Sequence, residues 1–225
     1  NFGKYEEEQN YYGLDQLNLN NLYADATYMK DYISYEIFRA VGVDAPLTSY
    51  VELKINGESF GLYLAIEEVG DSYLKRTGNE NSELYKPETE MLANMDNQFQ
   101  KTDKQNGEIP DPAKRPDGGE FNPPNGEDGA PSGRGFMGNS SSGADLVYTD
   151  DILESYSDIF NNAETDVTEE DEKRVIEALS SLSKGDAETA LDVSEVINYF
   201  VAHNFVLNYD SYTGTMLHNY YLMEA

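Results

Sequence analysis

The sequence VLNYDSYTGTMLHNYYL, residues 206–222, is the segment from which we interpret the rest of the chain. It follows an apolar helix predicted from about Ser194 to Val206 and opens with a polar turn that contains Asp210. A short aromatic strand then carries His218 and Asn219. A helix end, a loop and a strand in this order can place an acidic side chain and an amide side chain at the same site on the protein.

Asp210 and Asn219 are the residues of this segment that point to chemistry. Phosphoryl transfer uses a carboxylate to orient a hydroxyl nucleophile and a nearby carboxamide or carboxylate to hold Mg²⁺. An aspartate that follows a helix is also a common cap or solvated turn residue, which requires no chemistry. The spacing alone leaves both interpretations open.

Composition limits the kinds of partner. The 225 residues can form one domain or two small lobes, and no apolar run reaches the roughly 18–20 residues of a membrane span. The formal net charge of -28 disfavours nucleic acid and anionic membranes, whereas Mg²⁺ would still allow a nucleotide to bind. The chain has no cysteine and only two histidines, which excludes disulfides, thiol chemistry and a histidine-rich metal centre.

The first 70 residues predict a strand, a helix and a β-hairpin. The strand covers about residues 14–20. The helix opens at residues 25–27, with Asp25 or Thr27 as its cap, and ends at Gly42. Its predicted buried stripe is Ile33, Ile37, Phe38 and Val41.

The hairpin is the clearest local prediction. Residues 49–55 and 58–66 are joined by Asn56-Gly57, which tolerate the positive φ angles of a type I′ turn. We expect one apolar row on each strand to face the other. These rows are Val51, Leu53 and Ile55, and Leu62, Leu64 and Ile66.

A change of composition interrupts the second part of the chain. A short helix at residues 71–76 and a strand at residues 84–86 precede it. Seven of the eight prolines then lie between Pro87 and Pro131, and nine of the 18 glycines lie between Gly107 and Gly143. Such a segment buries too little apolar surface to offset its ordering entropy, so we predict a long irregular insertion at about residues 88–143.

Two longer helices are predicted after the insertion. The first is capped at Thr168, and its buried stripe comprises Val175, Ile176, Leu179 and Leu182. The second leads into residues 206–222, and its apolar positions suit a central helix of a large lobe. They are Val196, Ile197, Phe200, Val201 and Phe205.

Several motifs share one resemblance. Besides residues 204–214 and 218–222, they lie at residues 13–20, 51–57, 61–63, 67–69, 84–86 and 145–148. In this order they resemble the CotH family of spore-coat and cell-surface proteins of Gram-positive bacteria, over nearly the whole chain outside the insertion. The resemblance implies an α+β, atypical protein-kinase-like fold with two lobes. Its small-lobe part would be residues 1–70, and its large-lobe part would be residues 71–225.

The resemblance also implies roles for individual residues. Asp210 would be catalytic, and Asn219 would bind Mg²⁺. Lys86 would contact a phosphate of ATP, and Glu67, at the position of a kinase hinge, would contact its adenine; the alternatives are a surface lysine and an exposed strand end. His203 would orient the loop through a backbone hydrogen bond, or would be a packed core histidine.

The implied function is transfer of the ATP γ-phosphoryl group, with Mg²⁺, to Ser or Thr of a spore-coat or cell-surface protein. The sequence does not contain the family's later Trp-Asp motif, which supplies a metal-chelating acid. We therefore expect a kinase fragment that is truncated at both ends and lacks that acid. The acidity and the insertion also suit a non-catalytic, kinase-like structural module, which is the alternative function.

Overall fold

A computed structural model describes residues 1–6, 9–89, 142–214 and 217–225. These residues form an α+β fold, which confirms the predicted class, and the predicted insertion lies almost entirely outside them. The described strands are β1 (Leu17–Asn20), β2 (Thr48–Ile55), β3 (Glu58–Glu67), β4 (Glu83–Tyr85) and β5 (Leu222–Glu224). The described helices are α1 (Lys30–Ala40), α2 (Asp71–Thr77), α3 (Ser157–Phe160, after a 3₁₀ turn at Leu153–Tyr156), α4 (Glu169–Ser183), α5 (Ala187–Ala190) and α6 (Val193–Phe205).

The described strands form two antiparallel sheets. One has three strands in the order β1-β3-β2, and the other pairs β4 with β5. None of the helices in the described ranges is long and apolar enough to cross a membrane. The division of the chain at residue 70 stays a prediction.

The predicted hairpin is confirmed, but its facing rows are wrong. Asn56 and Gly57 have φ angles of 53° and 88°, as a type I′ turn requires. The register then shifts by one residue between Leu53 and Lys54, at a β-bulge or similar irregularity. Val51 therefore lies opposite Tyr63. A one-residue slip moves every later side chain to the other face, and the alternating sequence pattern does not reveal where it occurs.

Helix α1 begins at Lys30, later than the sequence predicts. Asp25 nevertheless caps it, because its carboxylate accepts hydrogen bonds from the backbone N–H groups of Thr27 at 2.9 Å, Met29 at 2.9 Å and Lys30 at 2.8 Å. These bonds, with that of Lys30 the largest cause, lower the pKa of Asp25 to about 2. Residues 26–28 form a turn held under this carboxylate.

The stripe predicted for α1 is only partly right, because Ile33 is 41% exposed. The helix packs through aromatic rings instead. Tyr32 lies 5.3 Å from the Tyr50 ring of β2, and Phe38 lies 5.7 Å from the Tyr199 ring of α6, measured between ring centroids. Of the predicted stripe, Phe38 thus packs against another element, whereas Ile33 is open to solvent.

An ion pair between the buried Glu67 and the partly exposed Arg76 joins the three-stranded sheet to α2. The Glu67 side chain, at the end of β3, accepts hydrogen bonds from Arg76 Nε at 2.8 Å and Nη2 at 2.7 Å, and from the Leu47 N–H at 2.8 Å. Arg76 also donates to the Ala45 carbonyl at 3.1 Å. Glu67 is 1% exposed, so its interpretation as an exposed strand end is wrong. Burying a carboxylate at this depth without such partners would cost free energy.

The β4–β5 ladder lies between two groups of buried side chains, because successive residues of a strand point to opposite faces. Leu84 and Met223 point into a cluster beside α2, which we call the α2 cluster. Tyr85 and Leu222 point into a cluster beside α4, which we call the α4 cluster. The α2 cluster comprises the buried residues Tyr73, Leu74 and Leu84. The α4 cluster comprises the buried residues Tyr85, Tyr156, Ile159, Val175, Ile176 and Leu179.

Helix α4 begins as the sequence predicts. Thr168 and Asp171 form a capping box, in which each side chain accepts a hydrogen bond from the backbone N–H of the other residue. Three residues of the predicted stripe, Val175, Ile176 and Leu179, are buried. The helix thus supplies half of the α4 cluster.

The wide apolar face predicted for α6 is only partly covered by the part of the chain that the structure describes. Ile197, Val201 and Phe205 are 56%, 58% and 74% exposed. The helix buries Ala202 and His203 instead. A hydrophobic pattern identifies apolar positions, but it does not identify the neighbour that covers each of them.

The ion pair between Glu67 and Arg76 yields a stability prediction. Arg76→Ala should lower the free energy of unfolding by about 3 kcal/mol, because it leaves a buried carboxylate without its partner. Urea denaturation would show this as a lower midpoint with an unchanged slope. Lys75→Ala, on the exposed neighbour, is the matched control and should change the midpoint little. Equal midpoints for the two variants would contradict the role assigned to the pair.

Candidate active site

The loop after α6 folds back on itself. Leu207 turns the chain with a φ angle of 55°, and the Gly214 N–H donates to the Ser211 carbonyl at 2.8 Å. A Cβ atom at Gly214 would overlap the carbonyl oxygen of Tyr209. Glycine is therefore needed for two parts of the loop backbone to approach each other.

The buried side chain of His203 contacts this loop from the protein interior. Its ring stacks on Tyr199 with centroids 5.5 Å apart, and it is 1% exposed, so it is a packed core histidine. Its Nε2 lies 2.5 Å from Thr213 Oγ1, and its Nδ1 lies 3.3 Å from Ser211 Oγ. The imidazole contacts the loop through hydroxyl groups rather than through the backbone bond that the sequence led us to expect. The backbone bond present here runs from the Asn208 N–H to the His203 carbonyl, at 3.2 Å.

Asp210 and Asn219 meet at the surface. Asn219 Nδ2 donates to Asp210 Oδ2 at 3.2 Å. The other carboxylate oxygen, Oδ1, lies 3.3 Å from His218 Nε2, and the Asp210 side chain is 71% exposed. The carboxylate is therefore held on one side by an amide and an imidazole and is open to solvent on the other.

The predicted strand through His218 and Asn219 is wrong, because β5 begins only at Leu222 and Asn219 lies in the irregular segment before it. Asn219 has a φ angle of 56°, which asparagine adopts more readily than most residues. The next residue, Tyr220, is buried and donates its hydroxyl to the Ala144 carbonyl at 2.5 Å. Burial raises the pKa of Tyr220, so this hydroxyl keeps its proton. The β4–β5 pairing then begins at Leu222.

Lys86 lies just beyond the β4–β5 ladder. Its backbone N–H donates to the Asn162 carbonyl at 2.9 Å. Tyr85 pairs with Leu222, so Lys86 leaves the ladder at the end from which the chain leads back to Asn219. Within the described ranges its ammonium group has no hydrogen bond or ion pair, and the role of this lysine stays a prediction.

Glu67 is not part of this group of side chains. Its carboxylate contacts Arg76 and Leu47, and its backbone N–H donates to the Leu47 carbonyl at 2.9 Å. The carboxylate thus joins the sheet to α2, and the backbone N–H bonds to the residue that precedes β2. The predicted contact between the Glu67 region and a nucleotide stays a prediction that the side chain does not support.

The Asp210–Asn219 pair fits the oxygen ligands that Mg²⁺ prefers. Neighbouring ligands of an octahedral Mg²⁺ lie about 3 Å apart, since each metal–oxygen distance is about 2.1 Å. The 3.2 Å between the Asn219 amide and the Asp210 carboxylate is close to that spacing, once the amide turns its oxygen to the metal. Among the described residues no group of three or more Asp, Glu or His side chains converges as a metal site. Two protein ligands suit Mg²⁺ that is also held by phosphate and water.

Sequence reasoning missed two parts of the site. The first is the contact between His218 and Asp210, for which the signal was a titratable side chain directly beside Asn219. The second is the pair Ser211 and Thr213, whose hydroxyls lie two positions apart. Both hydroxyls lie in the turn at residues 211–214, which brings them to the two nitrogens of the buried imidazole.

The chain is similar in sequence to known proteins. A family model described as "CotH kinase protein" matches residues 1–225. Inner spore coat protein H of Bacillus subtilis (strain 168) is 31% identical over 64 residues, which is 28% of this chain and 18% of that relative. The match thus spans less than a fifth of the relative's length.

The close approach at Gly214 yields a prediction about the loop. Gly214→Ala should destabilise it by about 1–3 kcal/mol, the usual cost of forcing atoms into occupied space. Hydrogen exchange should become faster at the backbone amides of residues 208–214. Gly70→Ala is the control, because a Cβ there meets no atom within 4 Å. Unchanged exchange in Gly214→Ala would show that the loop does not depend on this contact.

Proposed function

The chain belongs to the CotH kinase protein family, and on this premise we propose that it is an atypical protein kinase domain. The matched family confirms the resemblance that the sequence motifs indicated. The proposed reaction transfers the γ-phosphoryl group of ATP to Ser or Thr hydroxyls of a spore-coat or cell-surface protein. The observation that carries the proposal is the contact between Asp210 and Asn219 at an open surface.

Asp210 would receive the proton of the substrate hydroxyl. The bond between the γ-phosphorus and the β–γ bridging oxygen breaks, and its electron pair leaves on ADP. A new bond forms between the phosphorus and the hydroxyl oxygen, whose proton passes to Asp210. The exposure of this carboxylate supports the role, because a protein substrate has to reach it from solvent.

Asn219 and Asp210 would hold Mg²⁺, and Lys86 would contact a phosphate as a point charge. Mg²⁺, when bound, neutralises part of the charge on the phosphates of ATP. The acidity of this chain makes that neutralisation a requirement, since its net charge is -28. The ammonium group of Lys86 is available for such a contact, as far as the described residues show.

The finer fold also belongs to the proposal. Residues 1–70, with α1 beside a three-stranded sheet, would be part of a small lobe. Residues 71–225, with α4 and α6, would be part of a large lobe that carries the insertion. The named relative is a spore coat protein, which supports a location on a spore coat or cell surface of a Gram-positive bacterium.

A second candidate function is a non-catalytic coat module that keeps this fold for assembly. Two observations favour it. The formal net charge of -28 repels the phosphates of a nucleotide. The relative's printed name also describes a coat component and does not mention catalysis.

The kinase proposal predicts phosphate transfer that depends on Asp210. The full-length protein, with Mg·ATP labelled at the γ-phosphate and a Ser-rich protein substrate, should incorporate label. Asp210→Asn should lower kcat by about 100-fold or more, because it removes the proton acceptor. Asp166→Asn, on another exposed aspartate, is the matched control and should keep full activity. Phosphate transfer that is unchanged in Asp210→Asn would contradict the catalytic role assigned to Asp210.

Ligand binding separates the two candidate functions. Mg·ATP at 100 times its Kd should stabilise a folded kinase by about 2.7 kcal/mol, and the melting temperature should rise accordingly. Asn219→Ala should reduce this shift more than it changes the melting temperature without ligand. A folded wild-type protein that shows no shift with Mg·ATP would favour the coat module.

A further inference from the structure

The buried imidazole of His203 has two partners in one short loop. Its Nε2 lies 2.5 Å from Thr213 Oγ1, and its Nδ1 lies 3.3 Å from Ser211 Oγ. Ser211 is as fully buried as His203, at 1% exposure. Both ring nitrogens are therefore used, and both point at the segment that begins next to Asp210.

This contact holds the backbone on which Asp210 stands. Asp210 directly precedes Ser211 in the chain, whereas its own side chain is 71% exposed and contacts only His218 and Asn219 among the described residues. The rigidity of its position has to come from the buried side of the loop. A carboxylate that is to accept a proton needs its oxygen at a fixed place, since small displacements cost large factors in rate.

We propose that His203, Ser211 and Thr213 form a hydroxyl clamp that positions Asp210. They act through the loop and touch neither substrate nor nucleotide, so they are positioning residues. Their effect on turnover rests on the proposed kinase function. Their effect on the order of the loop does not.

The clamp sets a requirement on protons. A neutral imidazole donates from one nitrogen and accepts at the other, so one hydroxyl accepts a hydrogen bond and the other donates one. Burial lowers the pKa of His203, which favours this neutral ring. An apolar side chain of similar size would leave both hydroxyls without this partner, and the buried Ser211 hydroxyl would keep only its hydrogen bond with Tyr199.

Substitutions at Thr213 test the clamp with little change of volume. Thr213→Val removes the hydroxyl and keeps the shape, whereas Thr213→Ser keeps the hydroxyl. We expect hydrogen exchange at the backbone amides of residues 208–214 to become about tenfold faster in Thr213→Val, as the loss of one hydrogen bond allows. Thr213→Ser should stay within about twofold of the wild type. Thr189→Val, on an exposed threonine of α5, is the matched control.

Substitutions at His203 test which nitrogen matters. The amide of Asn can replace Nδ1, and the longer amide of Gln can replace Nε2. The contact with Thr213 is the shorter one, so His203→Gln should keep more of the loop's protection than His203→Asn. The Thr213 pair remains informative if either His203 variant fails to fold.

The full-length protein then links the loop to turnover. Thr213→Val should lower kcat about tenfold and leave the KM for Mg·ATP within about twofold of the wild type. Thr213→Ser should keep the kcat of the wild type. Unchanged exchange in both Thr213→Val and Ser211→Ala would overturn the clamp, whether or not the protein is a kinase. If the wild type is active, faster exchange in Thr213→Val with an unchanged kcat would overturn the positioning role. A wild type without transfer would refute the kinase function alone, and the exchange data would still decide on the clamp.

Discussion

The pairing of β4 with β5 is the constraint on which the rest of the described structure depends. Two short strands far apart in the sequence can stay together here because each alternates its side chains between two buried clusters. Leu84 and Met223 face one cluster, and Tyr85 and Leu222 face the other. The ladder thus fixes the end of the chain against α2 and α4. Asn219 lies three residues before Leu222, so the same burial that stabilises the core also places the amide of the candidate site.

Asp210 reaches the site by an independent route. It follows α6, whose last turn buries His203, and the loop after that turn is tied to the imidazole by two hydroxyls. One side of the site is thus held by long-range strand pairing and the other by local contacts at a helix end. The apolar residues that α6 leaves exposed take no part in this arrangement.

Local signals in the sequence predicted the elements, and non-local contacts decided the rest. Asn56-Gly57 and the Thr168–Asp171 capping box need only neighbouring residues to act, so the hairpin turn and the start of α4 were predictable. The register shift beside Leu53, the burial of Glu67 and the hydroxyl partners of His203 depend on residues that the chain brings together only on folding. The proximity of Asp210 and Asn219 was expected, although Asn219 precedes β5 instead of lying on a strand, and their chemical roles stay predictions.

Paramagnetic broadening of the Asn219 side-chain amide by Mn²⁺ tests the central claim most directly. Mn²⁺ takes the same oxygen ligands as Mg²⁺ and broadens the NMR signals of nuclei close to it. With a non-hydrolysable ATP analogue present, one equivalent of Mn²⁺ should remove the Asn219 amide signal and those of residues next to Asp210. Excess Mg²⁺ should restore them. Persistence of the Asn219 signal while other acidic surfaces broaden would contradict a shared metal and phosphate site at this pair.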